Sequence, residues 1–393
     1  MPSIADLLLI PWLLMITVGT ASAWRYTWGL PRPERPGREP RAVIVVAVKG
    51  LSGLTTEFFH RLLAQAYSRF RIIVAVESED DPVVRLVGEL CHAEAPIELA
   101  VAARVTRGGQ KVANLLVALD KIRFDDEIVV FTDADTLPEP QWLGRIASAI
   151  VDAGQEAVTG YRFMIPVDRR LSSAVVAVAN ASIVTLPRVP AIYNLCWGGA
   201  MALTRSTLER ISIREYWQGA ISDDLQMTRA LDDHGVKIFA PRQSLLLSPI
   251  ALDWKAAFNF GQRQYRMIWT HVPVLWVFAA LCVMIPVISL PAACILTARG
   301  DAVAAAVLVM AIISGEVRLR CRRRIANALW GDFELDKRRA AEAVERWLRP
   351  LVWLFHAACV LTAATSRRFR WAGVDYHVLA SQDVHASRAD AQS

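Results

Sequence analysis

Paired cysteines, a glycine fingerprint and nucleic-acid motifs are all missing from this chain, and each absence removes a class of protein. The six cysteines in 393 residues form no CxxC pair and no even ladder. That excludes a disulfide scaffold and fits free thiols facing a reducing compartment. No GxGxxG follows the first strand-like run, which argues against a nicotinamide site. No zinc-finger, helix-turn-helix or basic repeat is present, so nucleic acid is not an expected partner. The seven histidines, among them His60, His92, His234 and His271, have no HxxxH or HxH spacing, and no zinc site is expected. Lysine is scarce. Nearly all of the 44 basic residues, set against 38 acidic ones, are arginine, and they sit beside apolar segments. That placement favours anionic lipid headgroups.

What the chain has in surplus is apolar sequence, 54% of it. Residues 4–23 are long enough to cross a bilayer, with Trp24, Tyr26 and Trp28 at the far end. A signal peptide is the rival reading. The positives follow the apolar run instead of preceding it, so a retained anchor (1–28) with its N-terminus outside is preferred. A stiff Pro/Arg linker (29–41) comes next, expected on the cytoplasmic face. Residues 42–252 then read as one domain. An amphipathic basic-aromatic segment (253–271) reads as an interfacial helix. Within 272–366, apolar spans at 272–297, 302–314 and 351–364 flank the basic stretch EVRLRCRRR, which belongs on the cytosolic side. The middle span is short for a crossing and reads either as a transmembrane helix or as half of a re-entrant hairpin with the proline-broken first. Three crossings would place the tail (367–393) opposite to where Arg367, Arg368 and Arg370 belong, and the count stays open.

In residues 42–252, β-branched runs alternate with helical patterns, predicting an α/β fold with a doubly wound, mostly parallel sheet. AVIVVAVKG ends in Lys49, RIIVAVESEDDP carries Glu77 and Asp81, QKVANL opens a helix at Lys111, and EIVVFTDAD ends a strand at Asp133 and Asp135. Ligands of such sheets bind at the carboxyl ends of the strands. Two carboxylates one residue apart supply the hard oxygen donors that Mg²⁺ or Mn²⁺ takes alongside substrate phosphates. Asp-x-Asp also caps turns, so the pair does not identify a site unaided. Asp223 and Asp224 in SDD open a helix. They are read either as a crowded carboxyl pair with raised basicity or as a simple cap after Ser222.

The order of these clusters resembles inverting glycosyltransferases of family 2, most closely the ceramide glucosyltransferase branch and its bacterial lipid or hopanoid relatives. That family carries a first Asp, a DxD-like second, a third Asp, and a (Q/R)xxRW motif before C-terminal membrane segments. Here these fall on Asp81, on Asp133 with Asp135, on Asp224, and on RQYRM, which holds Arg263 and Arg266 after Gln262. VKG, KVANL, CWGGAMALTR and FRWAGVDYHVL extend the likeness over nearly the whole chain.

The resemblance implies a GT-A-type domain on the cytosolic side of a bacterial inner membrane. It implies a UDP-sugar donor, a lipid acceptor, a divalent ion on Asp133 and Asp135, and Asp224 as base beside Asp223. Lys49, Glu77, Asp81 and Lys111 would face the nucleotide sugar. Gln262, Arg263 and Arg266, with Trp197, Gly198 and Gly199, would lie toward the diphosphate and acceptor. Two departures stand out. Met267 replaces the family Trp, with Trp269 two residues on, and the acceptor-side stretch lacks the family's His. Processive β-glycan synthases share the domain and the Arg motif, but Met267 and the few apolar spans stand against a polymer channel. A non-catalytic lipid-binding relative is opposed by the survival of every acidic position and both arginines.

Overall fold

The computed structural model describes residues 4–28, 30, 37–91, 97–186, 194–331 and 335–388. The chain divides into two compact units that interleave in sequence. A sheet unit comprises Pro31–Arg162, Arg188–Ser248 and Arg367–Ser393, and a helical unit comprises Met1–Leu30, Phe163–Pro187 and Pro249–Ser366. Residues 163–187, which read as part of the α/β domain, thus belong with the apolar helices. The tail expected to stand by itself belongs with the sheet.

The strands in chain order are β1 (Ala42–Ala47), β2 (Phe70–Val76), β3 (Ile97–Val101), β4 (Ile128–Asp133), β5 (Ala157–Thr159), β6 (Tyr161–Pro166), β7 (Ala200–Thr204), β8 (Ile238–Phe239), β9 (Leu245–Ile250), β10 (Arg368–Trp371), β11 (Val374–Ala380) and β12 (Asp383–Ser387). Seven of them form the central sheet in the order β3-β2-β1-β4-β7-β5-β8. The strands β3, β2, β1 and β4 are parallel, and β7 runs antiparallel to both β4 and β5. This is the mixed, mostly parallel α/β sheet predicted from the alternation. Its apolar runs are continuous because both faces are covered. Phe58, Phe59, Leu62 and Trp142 pack one face, and Leu115, Trp217 and Met227 pack the other.

Strand order reverses between β1 and β4, where Ala47 pairs with Asp133, and the crevice at that reversal is the ligand position of such sheets. Side-chain caps start the surrounding helices: Ser52 accepts from Thr55 N before Gly53–Leu63, and Ser222 from Leu225 N before Asp223–Asp233. Gly160 separates β5 from β6, because a Cβ there would lie 2.2 Å from the Ser244 carbonyl oxygen. Strands β10 to β12 form a separate antiparallel sheet.

In the helical unit, Ile4–Trp28, Pro273–Ala298 and Ala302–Trp330 contain segments long and apolar enough to cross a membrane. The short middle span of the sequence is the first half of a 29-residue helix whose second half is EVRLRCRRR and its neighbours. Hydroxyls tie these helices together: Thr20 Oγ1 meets Ser314 Oγ at 2.7 Å, and Ser289 Oγ donates to the Leu8 carbonyl at 2.8 Å. The amphipathic segment is a helix, Trp254–His271, capped by Asp253. It packs closely on Arg349–Ala363, since a Cβ on Gly261 would meet Cys359 Sγ at 2.7 Å. Residues 187–193 of the acceptor-side stretch, residues 31–36 of the linker and His92 lie outside the described residues.

Candidate active site

The strand-end carboxylates come first. Asp133 is the last residue of β4, and Thr136 Oγ1 donates to its carbonyl at 2.8 Å, closing the turn that carries Asp135. Ser248 Oγ holds the Asp135 carbonyl at 3.1 Å, and Thr132 Oγ1 holds that of Gly199 at 2.9 Å. The TDAD turn is therefore tied to the CWGG segment by backbone acceptors. Lys111 stands in the first turn of helix Gln110–Ala118 and reaches across to it. Its Nζ lies 2.7 Å from Asp133 Oδ1 and 3.0 Å from Asp223 Oδ2. The structure thus brings the DxD turn, the KVANL helix and the SDD helix together around one ammonium.

Burial alone would lower the pKa of Lys111, but the charges of Asp133, Asp223 and Asp224 outweigh it and hold the ammonium well above its ordinary range. Asp223 is 4% exposed, and burial pushes its carboxyl up to about 6 against the pull of Lys111. Asp224 and Asp133 add to that rise. Desolvation thus leads like-charge crowding in raising Asp223. Asp224 accepts at Oδ1 from Ser222 Oγ at 2.5 Å and Leu225 N at 2.8 Å, and at Oδ2 from Gly198 N at 3.3 Å. It is the half-buried member.

Both glycines of CWGG are needed by their surroundings. A Cβ on Gly198 would fall 2.5 Å from Asp223 Oδ2 and 2.9 Å from Lys111 Nζ, and one on Gly199 would fall 2.1 Å from the Trp197 ring. Trp197 is nearly buried, with the Tyr161 ring edge-on at 5.8 Å and the Arg162 guanidinium 4.8 Å above it.

Arg162 is the residue that motif reading missed. Its Nη2 lies 3.5 Å from Asp133 Oδ2 and its Nη1 3.2 Å from Asp135 Oδ2, so the DxD pair faces two cations. No pattern marks it, because an arginine near the start of a strand carries no local signature.

Lys49 and Glu77, at the ends of β1 and β2, pair at 3.1 Å. Asp81 accepts from Gly50 N at 3.1 and 2.9 Å and from Val83 N at 3.0 Å. Its carboxylate shapes the two loops and caps helix Pro82–Leu90. Gln262, Arg263 and Arg266 belong to the helical unit. There Gln262 Nε2 donates to the Thr362 carbonyl at 3.4 Å, and Arg266, 2% exposed, donates from Nε to the Ala363 carbonyl at 3.4 Å. The Arg263 guanidinium lies 5.7 Å from the Phe260 ring.

Among the described residues no group of three or more His, Cys, Asp or Glu could hold a metal. Asp133 and Asp135 offer an all-oxygen pair on the solvent side of the turn, where Asp135 is 56% exposed at its side chain. That donor set fits a hard divalent ion completed by water and substrate oxygens.

The chain thus combines a mostly parallel α/β sheet, acidic residues at its strand reversal and apolar helices long enough to cross a membrane. Residues 7–384 match the family model described as glycosyl transferase family 21, and the chain belongs to that family. It is a glycosyltransferase, as the motif order indicated. Among solved structures the chain is similar to the mannosyltransferase PcManGT from Pyrobaculum calidifontis in complex with GDP-Man and Mn2+, with 19% identity, 91% of this chain and 98% of that chain covered, and a TM-score of 0.47. It is also similar to S. aureus TarS 1-349, with 12% identity, 90% and 98% covered, and a TM-score of 0.39. None of the curated proteins compared with the chain matches it.

Proposed function

We propose that this glycosyltransferase moves a single hexose or N-acetylhexosamine from a UDP-sugar to the hydroxyl of a membrane lipid, ceramide or another, at the inner leaflet, with inversion at the sugar. The observation that carries the reading is the Lys111 bridge between Asp133 and Asp223, which gathers leaving-group and acceptor chemistry in one crevice. In the transfer, a bond forms between the acceptor oxygen and the anomeric carbon while the bond to the diphosphate breaks. Asp224 takes the hydroxyl proton at Oδ2, the oxygen that accepts from Gly198 N at the start of the helix. Asp133 and Asp135 would hold Mg²⁺ or Mn²⁺, which supplies neutralisation of the departing diphosphate. Lys111 and Arg162 hold those carboxylates in place. Lys49, Glu77 and the loop shaped by Asp81 face the nucleoside. Gln262, Arg263, Arg266 and Trp197 are assigned to the diphosphate and acceptor side.

The membrane topology we propose is the one connectivity supports. Residues 367–388 share a compact unit with the strands β1 to β4, which supports an even number of crossings between them. Pro273–Ala298 and the apolar half of Ala302–Trp330 supply two crossings joined by a short turn, and Arg349–Ala363, 15 residues, stays on the cytosolic side. This arrangement keeps EVRLRCRRR and Arg367, Arg368 and Arg370 inside, as the distribution of positive charge requires.

The test is to incubate membranes holding the protein with labelled UDP-sugars and total lipid, then weigh the labelled product. One sugar per lipid supports the proposal. A polymer points to a processive synthase, and no label transfer from any UDP-sugar contradicts the donor assignment.

A further inference from the structure

The three-stranded sheet of residues 368–387 has no part in the chemistry described so far, yet it touches both the Lys111 helix and the SDD helix. Strand β12 runs beside the loop that precedes Lys111: Gly108 N donates to the Val384 carbonyl at 2.8 Å, and Ala386 N to the Thr106 carbonyl at 2.8 Å. Tyr376, 3% exposed, accepts from Gln110 N at 3.3 Å through its hydroxyl. Gln226, on the SDD helix, donates from Nε2 to the Ser381 carbonyl at 3.3 Å. Gly219 lacks the Cβ that would lie 2.4 Å from the Gln382 carbonyl oxygen.

Immediately after β12, Arg388 inserts its guanidinium between two site elements. Its Nη2 donates to Glu77 Oε2 at 2.9 Å and to Gln110 Oε1 at 2.7 Å, and its Nη1 to the Val105 carbonyl at 3.5 Å. Gln110 passes the contact on, donating from Nε2 to Asn114 Oδ1 at 2.9 Å, and its neighbour in sequence is Lys111. Glu77 is 9% exposed and has Lys49 on Oε1 and Arg388 on Oε2. A carboxylate so enclosed has its orientation fixed by its cations, and losing Arg388 leaves Oε2 without its cation while Lys49 and Arg104 still pull on Oε1.

We infer that residues 367–388 complete the donor site, with Arg388 acting as a positioning residue that orients Glu77 and the start of the Lys111 helix for a nucleoside diphosphate. The inference rests on the donor reading above. Arg388 acts through Glu77, so removing either should weaken the nucleotide to the same degree, and removing both should cost no more than one.

The experiment titrates UDP with MnCl₂ into the full-length protein in detergent, reading heat of binding for wild type and for Arg388→Ala, Arg388→Lys, Glu77→Gln and the double Arg388→Ala/Glu77→Gln. Arg370→Ala, whose side chain is 64% exposed on the same sheet, is the control. The expected result is that Arg388→Ala and Glu77→Gln each weaken UDP about tenfold. The double variant should bind no worse than either, Arg388→Lys should recover part of the loss, and Arg370→Ala should bind as wild type. Unchanged affinity in Arg388→Ala, or fully additive losses in the double variant, would overturn the inference while leaving the donor reading intact. If Arg388→Ala does not fold, Arg388→Lys against Glu77→Gln decides, with affinity equal to wild type in both overturning it. Wild type that binds no UDP would overturn the donor reading and this inference together.

Discussion

Lys111 Nζ sits 2.7 Å from Asp133 Oδ1, joining the start of one helix to the end of a central strand, and the same ammonium reaches Asp223 at 3.0 Å. Two carboxylates from distant parts of the chain are thereby held next to each other without bare repulsion. Replacing the lysine by methionine removes the cation from buried Asp223 and from half-buried Asp133, which still faces Arg162. The expected loss of stability is about 3 kcal/mol, with loss of transfer. A melting temperature equal to wild type would show that the bridge holds nothing together.

The raised carboxyl of Asp223 sets a pH dependence. Its value of about 6 in the fold exceeds the ordinary 3.8, because burial keeps the proton on. Between those limits the folded chain retains a proton that the unfolded chain has released, so stability from this group is full below 3.8 and is lost as pH rises to about 6. In metal-free protein, the melting temperature of wild type minus that of Asp223→Asn should therefore fall across this window and level off above it. A flat difference would place the proton elsewhere.

Asp224→Asn should keep the helix start, since an amide oxygen still accepts from Leu225 N, yet lose proton removal. Nucleotide binding is expected within about twofold of wild type, with transfer down a hundredfold or more, about the range of a lost general base. Comparable transfer by the variant would put the base on another residue, Asp223 first.

Under the proposed function, a divalent ion would displace Arg162 from Asp135. In electron paramagnetic resonance titrations without nucleotide, Arg162→Ala should bind Mn²⁺ several-fold more tightly than wild type, while Asp135→Ala should bind it more weakly. Identical Mn²⁺ affinity in all three would mean that the ion does not use this turn.

Gly198 tests how tightly the centre is assembled. Gly198→Ala places a methyl 2.5 Å from Asp223 Oδ2, so either the lysine bridge or the CWGG backbone must shift, and a lower melting temperature with reduced transfer is expected. Gly53→Ala, with nothing within 4 Å of the new methyl, should do neither.

Much of this site could be read from the sequence because its parts are local. A β-branched run ending in Asp-Ala-Asp and a Ser-Asp-Asp before a helical stripe each announce a position at an element's end, and the strand alternation places those ends on one edge. Arg162 and Arg388 carry no such signal. Arg388 meets Glu77 across 311 residues, a contact that only the folded chain creates. Asp81 also accepts from the Gly50 and Val83 backbone N–H groups, contacts that periodicity cannot reveal. The 29-residue helix Ala302–Trp330 was hidden by the change from apolar to basic sequence midway, which looks like an end of structure and is only a change of surroundings.

The central claim, that the TDAD turn and the elements around Lys111 share one donor, is tested most directly by locating Mn²⁺ by its anomalous scattering in crystals of the protein with UDP. The account predicts the ion on Asp133 and Asp135, with the Arg162 guanidinium moved off Asp135 and the uridine beside Glu77. An ordered ion and nucleotide away from these carboxylates would contradict it.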